Sequence, residues 1–264
     1  CPAIPEVVDV AEKLIRKNAG AHKMNSSIDT SGRTSRAAID SSPLPVHQLS
    51  SGRWVSLAEF VLGTAIVIGH NVYHVIPNEV PILFVIGLIS LRVREGGWGI
   101  IGLGWPVSWS RTLFFALVAA AVRILLGQFA VDPLTAHFWP AAVAPSGVNE
   151  IAGHATVALR WLLIVWTFAA FGEEISYRGY LVTRAADAGG RSKTAYWVAV
   201  LLVSVLFGYG HYYKGPSGIV DSGMAGLVLG AAYMLSGRNL WVCILAHGFI
   251  DTAMVLALFF GWAN

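Results

Sequence analysis

From Trp54 onward, most of the chain consists of apolar runs long enough to cross a lipid bilayer. About twenty apolar residues let a helix span the hydrocarbon layer, and helices hydrogen-bond their own backbone groups there. The sequence therefore predicts an all-α fold, a polytopic transmembrane helix bundle of about seven spans (six to eight). The predicted spans are residues 54–76, 80–91, 113–131, 155–181, 195–212, 219–235 and 240–262.

Composition supports a membrane protein and excludes several other classes. Hydrophobic residues make up 55% of the chain and charged residues 12%, about half the charge of a typical soluble domain. A disordered chain is excluded and a soluble enzyme is disfavoured. The net charge of +3 is too small to indicate a nucleic-acid partner. The two cysteines, Cys1 and Cys243, are too far apart for a disulfide framework or a zinc knuckle.

The start of the chain differs from the rest. Residues 24–51 are rich in Ser, Thr, Asp and Pro and have little apolar periodicity, which is typical of a solvated tail. We therefore expect a polar, disordered, cytoplasmic N-terminal segment at residues 1–52, followed by a transmembrane domain at residues 53–264.

Basic residues predict the orientation in the membrane, because cytoplasmic connections are enriched in Lys and Arg. Alternate connections, which one topology brings to the same side, carry Arg53, Arg92, Arg94, Arg111, Arg184, Arg191, Lys193 and Arg238. We expect a multi-pass inner-membrane protein with this side, and the N-terminus, in the cytoplasm. Small residues at positions 222, 226 and 230 of the sixth span predict close approach of a neighbouring helix.

Ionisable side chains at membrane depth are costly and call for a partner or a purpose. The fourth span contains Glu173, Glu174 and Arg178. Glu174 and Arg178 are four residues apart, so they share a helix face and can pair. Glu173 points about 100° away from its neighbour, so it must meet a group on another helix. The alternative to a functional role is a buried ion pair that fixes helix packing.

Two later spans also contain ionisable groups. The fifth ends in Phe207 to His211, and the last has His247 and Asp251 four residues apart on one face. A single histidine near a helix end is commonly an interfacial group. Two imidazoles together with an unpaired carboxylate, however, are the groups needed to activate water and stabilise an oxyanion.

The order of these motifs resembles the CPBP family, which includes type II CAAX prenyl endopeptidases and bacteriocin-processing and immunity proteins. The family pattern is Glu-Glu-x-x-x-Arg, Phe-x-x-x-His and His-x-x-x-Asn/Asp on three successive helices. Residues 97–106 are also similar to a family stretch after the second helix. The resemblance covers about residue 54 to the C-terminus. The residues that match the three motifs are Glu173, Glu174, Arg178, Phe207, His211, His247 and Asp251.

The resemblance implies an intramembrane glutamate endopeptidase without metal or other cofactor. It implies that Glu173 and His211 hold and deprotonate the attacking water, that His247 and Asp251 stabilise the oxyanion, and that Glu174 and Arg178 brace the site. The family usually has Asn where this chain has Asp251. An ionised Asp accepts hydrogen bonds and repels an oxyanion, so it can help only when protonated or by orienting a cationic His247.

The same residues also fit other functions. Two histidines and a glutamate can bind zinc, although no His-Glu-x-x-His run occurs. A non-catalytic membrane partner, such as an immunity or scaffold protein, fits the same motifs. The chain lacks the residues that serine and aspartyl intramembrane proteases require. It also shows no inverted repeat of the kind that many transporters have. We interpret His70 and His74 as structural. The expected partners are a peptide or membrane-protein substrate, cut near the cytoplasmic face, and the lipid bilayer.

Overall fold

A computed structural model describes residues 46–144 and 147–262, with their side chains from Gly52 onward. Residues 1–45 of the predicted polar segment (residues 1–52) lie outside the described residues. All regular structure in the described part of the chain is helical, as the apolar runs predict.

Nine α-helices form the described bundle, and two of the spans also contain π-helical turns. The helices are α1 (Val46–Asn71), α2 (Glu79–Glu95), α3 (Trp109–Leu126), α4 (Asp132–Phe138), α5 (Ala155–Ile164), α6 (Val182–Ala188), α7 (Lys193–Tyr209), α8 (Gly215–Leu235) and α9 (Leu240–Phe259). The π-helical turns are Gly127–Val131 between α3 and α4, and Val165–Glu173 and Ile175–Leu181 between α5 and α6.

Each of the seven predicted spans coincides with a helix. Five continuous helical segments are long and apolar enough to cross a membrane, and α2 and α7 are 17 residues each. The chain is thus an all-helical, multi-pass membrane protein. The five segments are Gly52–Asn71, Trp109–Phe138, Ala155–Ala188, Tyr212–Leu235 and Leu240–Phe259.

One boundary differs from the predicted one. The third predicted span ends at residue 131, and the prolines at 133, 140 and 145 predict a loop with an interfacial piece over residues 132–154. The helix instead continues to Phe138, with Pro133 in the first turn of α4 immediately after a π-helical turn. The missing N–H of proline is tolerated there because the wider π-helical turn before it already departs from the regular hydrogen-bond pattern that an interior proline would break.

Helices α7 and α8 pack closely along their length. A Cβ on Gly226 would lie 3.0 Å from the Cα of Ser204, and a Cβ on Gly230 would lie 2.5 Å from Val200 Cγ1. The small residues of α8 are therefore needed for the close approach that the sequence predicts. This contact holds the end of α7, where His211 follows, against the start of α8.

A cluster of ion pairs joins three helices, α1, α2 and α6, at one end of the bundle. Arg184, whose side chain is fully buried, donates to Glu59 at 2.9 Å, Glu95 at 2.8 Å and Asp187 at 3.0 Å. We call this cluster the arginine network. It consists of Glu59, Arg94, Glu95, Arg184, Asp187 and Arg191.

Candidate active site

The two adjacent glutamates lie where one π-helical segment meets the next. Val165–Glu173 ends at Glu173, Glu174 connects the two segments, and Ile175–Leu181 follows. Wide π-helical turns inside a helix frequently mark functional sites. Glu174 is completely buried, while Glu173 is partly buried. The structure thus separates the two carboxylates, as the 100° angle between neighbouring helix positions predicts.

Glu173 and His211 line the same cavity, which has a volume of about 200 Å³. The cavity lies between the α1–α2 turn, the glutamate-bearing helix and the end of α7. The residues that line it are His70, Asn71, Asn78, Glu79, Val80, Glu173, Tyr177, Gly210, His211 and Tyr213.

The orientation of His211 follows from a bond to its own helix. Its Nδ1 lies 3.0 Å from the carbonyl oxygen of Phe207, four residues earlier. A carbonyl oxygen only accepts, so Nδ1 carries a proton and donates it. In the neutral imidazole, Nε2 therefore keeps a lone pair that can accept a proton from water.

Glu174 links Arg178 to His247. Its Oε1 accepts from Arg178 Nη1 at 2.9 Å, which is the i,i+4 pair predicted from the sequence. The same oxygen lies 2.7 Å from His247 Nδ1 on α9. The contact with His247 was not predicted. It ties the last helix to the glutamate-bearing helix.

His247 lies between two carboxylates. Besides the Glu174 contact, its Nε2 lies 3.5 Å from Asp251 Oδ2, one helical turn further along α9. An imidazole can donate to both acids only when both nitrogens carry a proton, which makes it a cation. His247 is buried, whereas Asp251 is partly exposed.

The Phe207 ring contacts both histidines. Its centroid lies 4.8 Å from that of His211 and 6.2 Å from that of His247. The guanidinium of Arg178 lies 4.3 Å from the same centroid, a cation–π contact. The three motif helices therefore meet around one aromatic ring. His247 is not among the residues that line the cavity.

Sequence reasoning missed a second acid and histidine in the cavity wall. His70, interpreted above as structural, lies 3.3 Å from Glu79 through Nε2 and Oε2. Glu79 also accepts from the hydroxyl of Tyr177, at 3.5 Å. The sequence does signal a helix start here, since Asn followed by Glu is typical of the first residues of a helix. The Asn78 side chain caps α2, and Glu79 is its first residue.

The cavity and the arginine network lie at opposite ends of the bundle. Glu79 begins α2 at the cavity, and Glu95 ends it in the network, about 24 Å away at 1.5 Å per residue. The predicted orientation puts the arginines in the cytoplasm. Cleavage near the cytoplasmic face, which we also expected, is incompatible with that orientation because the cavity is at the other end.

Within residues 46–144 and 147–262, no three His, Cys, Asp or Glu side chains are grouped so that they could hold a metal ion. His247 has both ring nitrogens next to carboxylates, and His211 uses Nδ1 on a carbonyl. Zinc ligation by both histidines and Glu173 would require His247 to leave its carboxylate partners.

Fold and site together define a multi-pass membrane protein with carboxylates and imidazoles buried between its helices. Residues 155–253 match the family model described as Type II CAAX prenyl endopeptidase Rce1-like. The matched segment contains all six predicted site residues and confirms the family resemblance seen in the motifs. It supports a peptidase role, which is a hydrolase activity, on a peptide substrate in the bilayer. The chain matches no curated protein and no solved structure.

Proposed function

We propose that the protein is an intramembrane endopeptidase that hydrolyses a peptide bond with water activated by Glu173 and His211. One observation carries the proposal: these two side chains come from different helices and line one cavity. Glu173 Oε2 has no hydrogen-bond partner among the described residues. His211 presents Nε2 once Nδ1 is bonded to Phe207. A buried carboxylate oxygen without a partner and a free imidazole nitrogen thus belong to two residues of one cavity, and a water molecule there would satisfy both.

In the proposed reaction, Glu173 and His211 hold the water by its two hydrogens. The water oxygen attacks the carbonyl carbon as one proton passes to this pair, which gives a tetrahedral oxyanion. The C–N bond then breaks, and the nitrogen takes up a proton as it leaves. General bases of this kind contribute about 10²- to 10⁴-fold to the rate.

We assign stabilisation of the oxyanion to His247, which does not line the cavity but contacts the same Phe207 ring as His211. Its Nε2 lies 3.5 Å from Asp251, longer than an ordinary N–H···O bond, so this N–H is available to a developing negative charge. Glu174 and Asp251 favour the cationic imidazole and fix its ring. This role for Asp251 suits an aspartate at a position where the family usually has Asn. Glu174 is in turn held by Arg178.

The proposed mechanism is independent of metal. Its support is that Nδ1 and Nε2 of His247 both lie next to acids on the protein, which leaves His211 Nε2 as the free imidazole nitrogen of the motif histidines. A zinc enzyme with three protein ligands would need more nitrogen or carboxylate donors aimed at one point.

The test is a cleavage assay with purified protein in proteoliposomes and a peptide library, with and without a chelator. We expect cleavage at defined bonds and the same rate with the chelator. The variant His247→Ala should be about 10²- to 10³-fold slower, the usual cost of losing one oxyanion donor. No cleavage of any peptide would favour a non-catalytic partner protein. Loss of activity with chelator, restored by zinc, would favour a metalloprotease.

We further propose a cell-membrane location with the arginine network on the cytoplasmic side, so that the cavity opens on the opposite side. Exposed Val75 lies at the cavity end and exposed Lys193 at the network end. In a Cys1→Ser background, Val75→Cys should react with an impermeant maleimide on intact cells, and Lys193→Cys only after permeabilisation. The reverse labelling pattern would contradict this orientation.

A further inference from the structure

His70 and Glu79 form a second acid–histidine pair in the wall of the cavity that contains Glu173 and His211. Their Nε2 and Oε2 atoms are 3.3 Å apart, and catalytic hydrogen bonds are often this long before substrate binds. A substrate that reaches Glu173 in a cavity of about 200 Å³ also meets this pair.

The protons that the pair can hold follow from the contacts of the two His70 ring nitrogens. His70 Nδ1 lies 2.9 Å from the carbonyl oxygen of Ile76, which only accepts, so Nδ1 carries a proton. For Nε2 and Oε2 to be bonded, one of them must also carry a proton. The pair is then either an imidazolium with a carboxylate or an imidazole with a carboxylic acid. Both forms hold one transferable proton at the cavity wall.

The surroundings suit a group that donates a proton and must then take up another. The Glu79 side chain is 7% exposed and the His70 side chain 29% exposed. The acid is therefore shielded, while the imidazole has access to the surface. Tyr177 donates to the other oxygen of Glu79 at 3.5 Å, which keeps Oε2 directed at His70.

We propose that the His70–Glu79 pair is the general acid of the reaction and donates its proton to the leaving nitrogen. This inference rests on the proposed peptidase function. Glu173 and His211 take one proton from the attacking water, the pair gives one to the amine as the C–N bond breaks, and proton transfer across the cavity restores both. No group outside the protein, the peptide and water is required.

The test compares a cleaved peptide with the same peptide carrying a thioester at the scissile bond. A thiolate leaves without a proton, because thiols ionise near pH 8.5, whereas an amine needs one. In the Glu79→Gln variant, a neutral His70 lies next to an amide, and the pair has no proton to transfer. We expect this variant to lower kcat on the amide about 100-fold and kcat on the thioester less than about threefold. Glu173→Gln should lower both.

The thioester rate also reports whether the variant is folded. Asp221→Asn is the matched control, since Asp221 is paired with Arg123 at 2.6 Å and does not line the cavity. Its ratio of amide to thioester rates should equal that of the wild type. Equal losses on both substrates in Glu79→Gln, or no loss on either, would overturn the general-acid role alone. A wild type that cleaves no peptide would overturn the peptidase function and this proposal together.

Discussion

Glu173→Gln is expected to reduce peptide cleavage by about 10³-fold or more, within the range that general bases contribute. Glutamine has nearly the same shape but cannot accept the proton of the attacking water. Glu173 has an Oε2 without a partner in the described part of the chain, so the change breaks no ion pair there. The measurement is kcat in proteoliposomes on a peptide that the wild type cleaves.

The control for this variant is Glu150→Gln, the same change at an exposed acid in the short 3₁₀-helix Val148–Glu150. It should cleave at the wild-type rate. Both variants should elute from size-exclusion chromatography as the wild type does. Normal cleavage by a well-folded Glu173→Gln protein would remove Glu173 from the mechanism.

Arg184→Ala is expected to lower the free energy of unfolding by about 3–5 kcal/mol, the usual cost of removing one partner of a buried ion pair. The Arg184 side chain is fully buried and contacts Glu59, Glu95 and Asp187 from three helices. Its loss leaves carboxylates buried with too few donors. Unfolding in mixed detergent micelles, followed by circular dichroism, measures the change.

Arg92→Ala is the matched control for this stability prediction. Arg92 is exposed, lies near the same end of the bundle and donates to the carbonyl of Gly96 at 3.1 Å. Exposed contacts of this kind contribute less than about 1 kcal/mol. Arg184→Ala should thus differ clearly from Arg92→Ala, and equal stability of the two variants would show that the arginine network does not hold the bundle together.

The helices were largely predictable because hydropathy and length decide them. Every predicted span coincides with a helix, and the close contact between α7 and α8 follows from small residues at 222, 226 and 230. The continuation of the third helix past Asp132 has a local cause. A π-helical turn resets the helix just before Pro133, and no pattern of apolar residues signals such a turn.

The site was predictable only in part. The pair of Glu174 with Arg178 follows from helix periodicity, because both residues are on one helix. The contact of Glu174 with His247 joins residues 73 positions apart, and spacing along the chain does not define it. The His70–Glu79 pair forms across the turn between α1 and α2, so it depends on how two helix ends meet.

The central claim is that Glu173 and His211 act on one water molecule. A double-variant cycle with Glu173→Gln and His211→Ala tests it most directly, using kcat on the thioester peptide. Residues that act as a unit give strongly non-additive losses. The account predicts that the double variant is no slower than the slower single variant. Losses that multiply in the double variant would show two independent contributions and would contradict it.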